Sequence, residues 1–266
     1  MSKYDVGQVF QTNCGVDAVI VQRRGLGVQR VKIRWLDDHQ YEMVVKLNHL
    51  VAGKVLNPYS PTQHGIGYLG VGEYTSVKNK KLHSLWSSMF SRCYSEKYLH
   101  GKPTYMGCSV AKEWHSFQNF AAWCEKQRGL HLKGYQLDKD LLCFGNRVYG
   151  PKTCRFVPSY INGLLSTSDA IRGDLPLGVY LHKDSDKYAA QVKLRHGKKS
   201  HLGLFSTALE AHSAWQNAKA KHIEDAVNWY AAEQHFDKEI AGNLLALAWQ
   251  LRLNSVKQVE TTGFKG

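Results

Sequence analysis

The chain is short of acid: 22 Asp and Glu stand against 35 Lys and Arg in 266 residues, a formal net charge of +13. That shortage excludes an acidic solvating segment and favours a polyanion as partner, nucleic acid first. Runs of about 18 apolar residues are also lacking, so nothing reads as a membrane span. The opening MSKYDVGQVF has no apolar signal-peptide core, and the expectation is a soluble chain kept inside the cell. None of the six cysteines (Cys14, Cys93, Cys108, Cys124, Cys143, Cys154) belongs to a C-x-x-C pair. That excludes zinc ribbons and fingers and reads as reduced, mostly buried thiols. Apolar material is not short. At 43% hydrophobic and 11% aromatic residues, the chain can build packed cores, and its length suits two or three small domains.

Residues 1–58 read as a small Tudor-like β domain, a short barrel. In Arg30-Val31-Lys32-Ile33-Arg34-Trp35 apolar and basic residues alternate, so a strand here has one core face and one wet, cationic face. The wet face is either simply solvated or an auxiliary phosphate-contacting surface. Residues 59–75, rich in Gly, Pro and Ser, read as a linker. Gly65, Gly67 and Gly70 match G-x-G-x-x-G, but prolines precede them and no helix opens after them, so a dinucleotide fingerprint is set aside. Residues 76–170 carry helical stripes: Leu82, Leu85, Trp86, Met89, Phe90 and Cys93, then Trp114, Phe117, Phe120, Ala121 and Cys124. These aromatics read as core.

Residues 171–228 give the clearest pattern. Leu177 to Lys183, Lys187 to Arg195 and Ser200 to Phe205 read as an antiparallel three-stranded meander closed by a helix, which Thr207 and Glu210 begin with a capping box. The fold class is thus α+β and multidomain. Residues 229–266 form a further helix, from Trp229 to Leu253, and a tail; its second reading is a docking helix for a protein partner. On the middle strand Lys187, Ala189, Gln191, Lys193 and Arg195 share the side that the helix leaves open. A sheet of this width fits the major groove, where Lys and Arg reach phosphates or guanine and Gln pairs with adenine. Small Ala189 would let the sheet come close. Tyr180, His182, Lys183, Lys198, Lys199 and His201 widen the expected DNA-binding footprint.

The run Gly178-Val179-Tyr180, Lys187-Tyr188-x-Ala190-Gln191-Val192, Lys198-Lys199-x-His201-Leu202-Gly203-x-Phe205-x-Thr207 and Glu210-Ala211 through Ala214-Trp215 resembles the Apetala or ethylene-response-factor type DNA-binding domain. The resemblance implies a sheet that enters the major groove. Lys, Gln and His stand where that family commonly has Arg and Trp, so no target sequence carries over.

The middle region is similar to phage HNH-type homing endonucleases. The likeness runs through Trp86-x-x-Met89-x-x-Arg92-Cys93-Tyr94, Glu113-Trp114-x-x-Phe117-x-x-Phe120, Leu137-Asp138-Lys139-Asp140, Gly145-Asn146, Pro151, Cys154-Arg155-Phe156 and Asn162. It implies Asp138 and Asn162 as ligands of one Mg²⁺ or Mn²⁺ ion and a base at Lys139, where the family has His. A solvent-exposed Lys, with a pKa of about 10.4, is almost wholly protonated at neutral pH. Lys139 therefore reads either as a base or as a phosphate clamp, with His115 and His131 as substitute bases. Three functions stay open: a sequence-selective double-stranded DNA-binding protein that needs no cofactor, with a degenerate HNH-like centre; a metal-dependent nicking or cleaving endonuclease; and a basic RNA-associated protein. A phage origin would place it in the cytoplasm of a bacterial host.

Overall fold

The computed structural model describes residues 4–166 and 174–264, a mixed α+β chain in two compact units, Met1–Trp123 and Cys124–Gly266. No helix among the described residues is long and apolar enough to cross a membrane.

The first unit opens with strands β1 (Val9–Phe10), β2 (Ala18–Gln22), β3 (Arg30–Trp35) and β4 (Glu42–Lys46), an antiparallel meander in that order. The alternation on β3 acts as expected: Val31, Ile33 and Trp35 are fully buried, and Arg30 and Arg34 are exposed. The expected barrel is not formed. Among the described residues β1 and β4 remain open edges, because four strands, one of them two residues long, are too few to close on themselves. Helix α1 (Leu47–Val51) seals the sheet by burying Leu50.

Helices α2 (Lys80–Tyr94), α3 (Glu96–Gly101) and α4 (Phe117–Glu125), with the two-residue strand β5 (Ser109–Val110), follow. Leu82, Trp86, Met89, Phe90 and Cys93 of α2 are buried, as are Trp114, Phe117 and Phe120. The Trp86 indole N–H donates to the Trp114 carbonyl at 2.8 Å, so this aromatic core is also polar-satisfied. The Gly-rich segment expected as a linker is packed into this core. A Cβ on Gly67 would come within 2.8 Å of both Trp86 and Phe90. The Gln118 amide clamps the same segment, donating to the Leu69 and Tyr74 carbonyls at 3.0 and 2.8 Å.

The second unit contains β6 (Tyr135–Asp138), β7 (Val148–Tyr149) and β8 (Arg155–Pro158), then the short helix α5 (Ser159–Gly163). β6 and β8 pair antiparallel with Asp138 opposite Arg155. A three-stranded sheet follows, β9 (Val179–Leu181), β10 (Tyr188–Lys193) and β11 (Lys199–Phe205), with β10 in the middle. Helices α6 (Ala208–Ala231) and α7 (Lys238–Lys257) complete it. The expected boundary at 170/171 lies outside the described residues. On either side of it one core is shared: Val157 and Ile161 pack in the same cluster as Val192, Ile223 and Leu244.

Helix α6 starts with the expected capping box, Thr207 and Glu210 each bonding the other's backbone N–H. It runs further than the sequence suggested and includes Trp229. The next helix begins only at Lys238, because Asp237 takes the N-cap and accepts from the Glu239 and Ile240 N–H groups. α6 lies flat on the sheet where Gly178 meets Trp215. That glycine has φ +78, and a Cβ there would stand 1.9 Å from the indole. Behind it α6 buries His212 and Gln216, and the C-terminal tail bonds both. The Thr261 N–H donates to His212 at 2.9 Å, and the Gln216 amide donates to the Val259 carbonyl at 2.8 Å.

Candidate nucleic-acid interface

The three-stranded sheet has one face against α6, where Val179 and Ala190 pack on Ala211. Its other face is built in rows. Tyr180, Ala189 and Leu204 are cross-strand partners, Gln191 stands opposite His201, and Lys193 stands opposite Lys199. Between the first and second rows the register slips by one residue, a bulge at Leu202. The bulge is why Lys199, His201 and Leu204, which do not share a simple two-residue period, are the exposed residues of β11.

Lys187, Lys193, Lys199 and His201 are exposed and Gln191 is half-buried. Among the described residues their side chains make no hydrogen bond or ion pair within the protein. Lys183 and Lys198 are exposed in the flanking turns. His182 is less free, since its Nδ1 lies 3.2 Å from the Ser185 hydroxyl. Two expectations about this face change. Ala189 is fully buried rather than an open point of approach, because Tyr180 and Leu204 close over it and make that end of the sheet apolar. Arg195 is not on the face at all. β10 ends at Lys193, and Arg195 sits in the turn with its guanidinium 4.3 Å from the Trp229 ring centroid and 5.0 Å from that of Tyr160. Leu204 belongs to the face and sequence alternation misses it, because the bulge reverses the parity.

The residues expected for an HNH centre lie on the β6–β8–α5 arrangement. Asp138 is buried, and its Oδ1 accepts from the Asp140 and Leu141 N–H groups at 2.8 and 2.7 Å. Lys139 is buried too. Its ammonium pairs with Asp140 and donates to the Asn146 carbonyl at 3.0 Å, while the Asn146 amide returns a bond to the Lys139 carbonyl. The Asn162 amide donates to Gln136 at 2.7 Å. So Asp138 holds a turn, Lys139 is locked inward, and Asn162 serves a neighbour on β6. No group of three or more His, Cys, Asp and Glu side chains converges on a metal position among the described residues.

The two expected substitute bases belong to different units. His115, in the first unit, has Nε2 3.1 Å from the Val110 carbonyl, and exposed His131, in the second, has Nε2 3.5 Å from a Glu125 oxygen. Cys154, next to Asp138's strand partner, has its thiol pushed up to about 12 by burial and is inert at neutral pH.

In the first unit two of the three cations on the β3 face, Lys32 and Arg34, share one acid, and Arg30 is exposed. Glu42 pairs with Lys32 and Arg34, each at 2.6 Å, and these bonds hold its carboxyl below the usual range, Lys32 most strongly.

No protein-family model matches the chain, and neither a curated protein nor a solved structure does.

Proposed function

We propose that this chain is a sequence-selective double-stranded DNA-binding protein that reads the major groove with the uncovered face of its β9–β10–β11 sheet. The observation that carries the reading is the pair of rows Gln191/His201 and Lys193/Lys199. On a folded surface, adjacent Lys side chains without a carboxylate repel each other, a cost that a polyanion relieves. An amide and an imidazole beside them supply groups that distinguish base edges. The Tyr180–Leu204 end adds an apolar contact of the kind a thymine methyl accepts. A three-stranded sheet crossed by one helix is the architecture implied by the resemblance to Apetala-type domains. We assign β6, β8 and α5 to a degenerate HNH-like element, since Lys139 is committed to Asp140.

The test is selection of bound sites from random duplexes, with the products run on a denaturing gel in the presence of Mg²⁺ or Mn²⁺. A recovered consensus with intact strands is the expected result. Strand breaks that disappear in Asp138→Ala would instead make the protein a metal-dependent endonuclease. Structured RNA that outcompetes duplex DNA at equal salt would overturn the DNA reading.

A further inference from the structure

Arg195 leaves the sheet for a specific place. The β10–β11 turn folds it onto Tyr160 and Trp229, whose own rings meet edge-on at 5.2 Å. The turn is strained: His196 has φ 61 and Gly197 has φ 75, two consecutive left-handed residues, the first of which has a side chain. The shelf beneath is fixed. The Tyr160 hydroxyl lies 2.9 Å from His222 Nε2. Burial pulls His222 down to about 4 and raises Tyr160, so this pair is neutral at pH 7 and offers Arg195 no counter-charge. Among the described residues no acceptor bonds the Arg195 guanidinium. Its faces are held by rings while its N–H edge stays available, which is the presentation that suits a forked contact to phosphate.

The turn borders a cleft of 480 Å³ lined by Lys133, Tyr160, Arg195, His196, Trp229 and Glu233, among others. Two cations line it against one carboxylate, Glu233, while Asp225 acts on Tyr160 and His222 from outside the lining. We propose that this cleft is a phosphate-binding site, separate from the open face of the sheet, in which Arg195 clamps two phosphate oxygens and Lys133 supplies a second charge. The phosphate comes either from a small nucleotide or from a DNA backbone passing the turn. The proposal stands whether or not the sheet reads DNA.

Calorimetric titration of the full chain with inorganic phosphate, and separately with 5′-deoxyadenosine monophosphate, at fixed ionic strength tests it. If the source is a small nucleotide, saturable heat is expected from at least one. Arg195→Ala and Arg195→Lys should weaken it about tenfold or more, the latter because an ammonium cannot fork. Glu233→Gln should tighten it by removing the acid that lines the cleft. If the source is a DNA backbone, the small anions stay silent. Arg195→Ala then lowers the slope of log affinity against log salt for duplex DNA by about one. Silence from both anions with an unaltered salt slope overturns the proposal, as does heat that persists in Arg195→Ala. Phosphate binding in a chain that ignores duplex DNA would sink the groove-reading proposal and leave this one standing.

Discussion

Gln191 faces His201 across the β10–β11 ladder immediately past the bulge, a row of the open face that pairs two groups able both to donate and to accept. A base contact from either is therefore position-specific. Gln191→Ala and His201→Ala should each cost about 1–3 kcal/mol at one position of the selected site and relax preference there. Measured affinities for single-base variants of the site check this. Equal losses on every sequence would remove both residues from the reading role.

Lys193 and Lys199 stand opposite each other in the last row, and among the described residues no acid is bonded to either. Their contribution should be to phosphate. Lys193→Ala and Lys199→Ala should weaken binding alike for all sequences and reduce the salt slope by about 0.9 each. Affinity measured from low to physiological salt reads this out. A sequence-dependent loss would make them base readers.

What the sequence revealed of this sheet was its strands, its cap and most of its face, because a period of two and a T-x-x-E signature are local features. Arg195 was misplaced and Leu204 passed over because a bulge and a turn are set by tertiary packing, here the fit of Leu194 and Leu202 against the helical core. The Gly-rich segment near Gly67 reads as a linker for a similar reason. Glycine marks a flexible connection and a close approach to an aromatic ring with the same letter, and only Trp86 and Phe90 decide between them. Lys139 was legible as a departure from the HNH pattern, but its inward direction depends on Asp140 and Asn146 together.

That inward direction has an energetic consequence. The Lys139 and Asp140 side chains are only 9% and 10% exposed, so removing the Lys139 charge takes its ion-pair partner from a buried carboxylate. Lys139→Met should destabilise the protein by about 3–5 kcal/mol, and adding Asp140→Asn should recover part of the loss. Urea denaturation of the two variants checks it. A Lys139 that served as a base or a phosphate clamp from the surface would give nearly unchanged stability on removal.

Lys219 is buried with its ammonium on the Leu164 carbonyl at 2.6 Å and no carboxylate partner among the described residues. Burial, with a smaller effect from Lys193, pulls it from 10.5 to about 8. Between those values the unfolded chain holds a proton that the folded chain has released, so unfolding takes up protons and stability rises with pH. Below pH 8 both states are protonated and the full penalty of burying the charge is present. The buried thiols of Cys124 and Cys154, raised by burial, act in the opposite direction above about pH 9. A single pH titration would therefore mix the two effects. Comparison with Lys219→Met separates them, because the cysteines are common to both proteins and cancel in the difference. Relative to that variant, the wild type should gain up to ~3 kcal/mol between about pH 8 and 10.5. Urea unfolding at several pH values measures the gap, and a constant difference across that range would mean that Lys219 keeps its ordinary basicity in the fold.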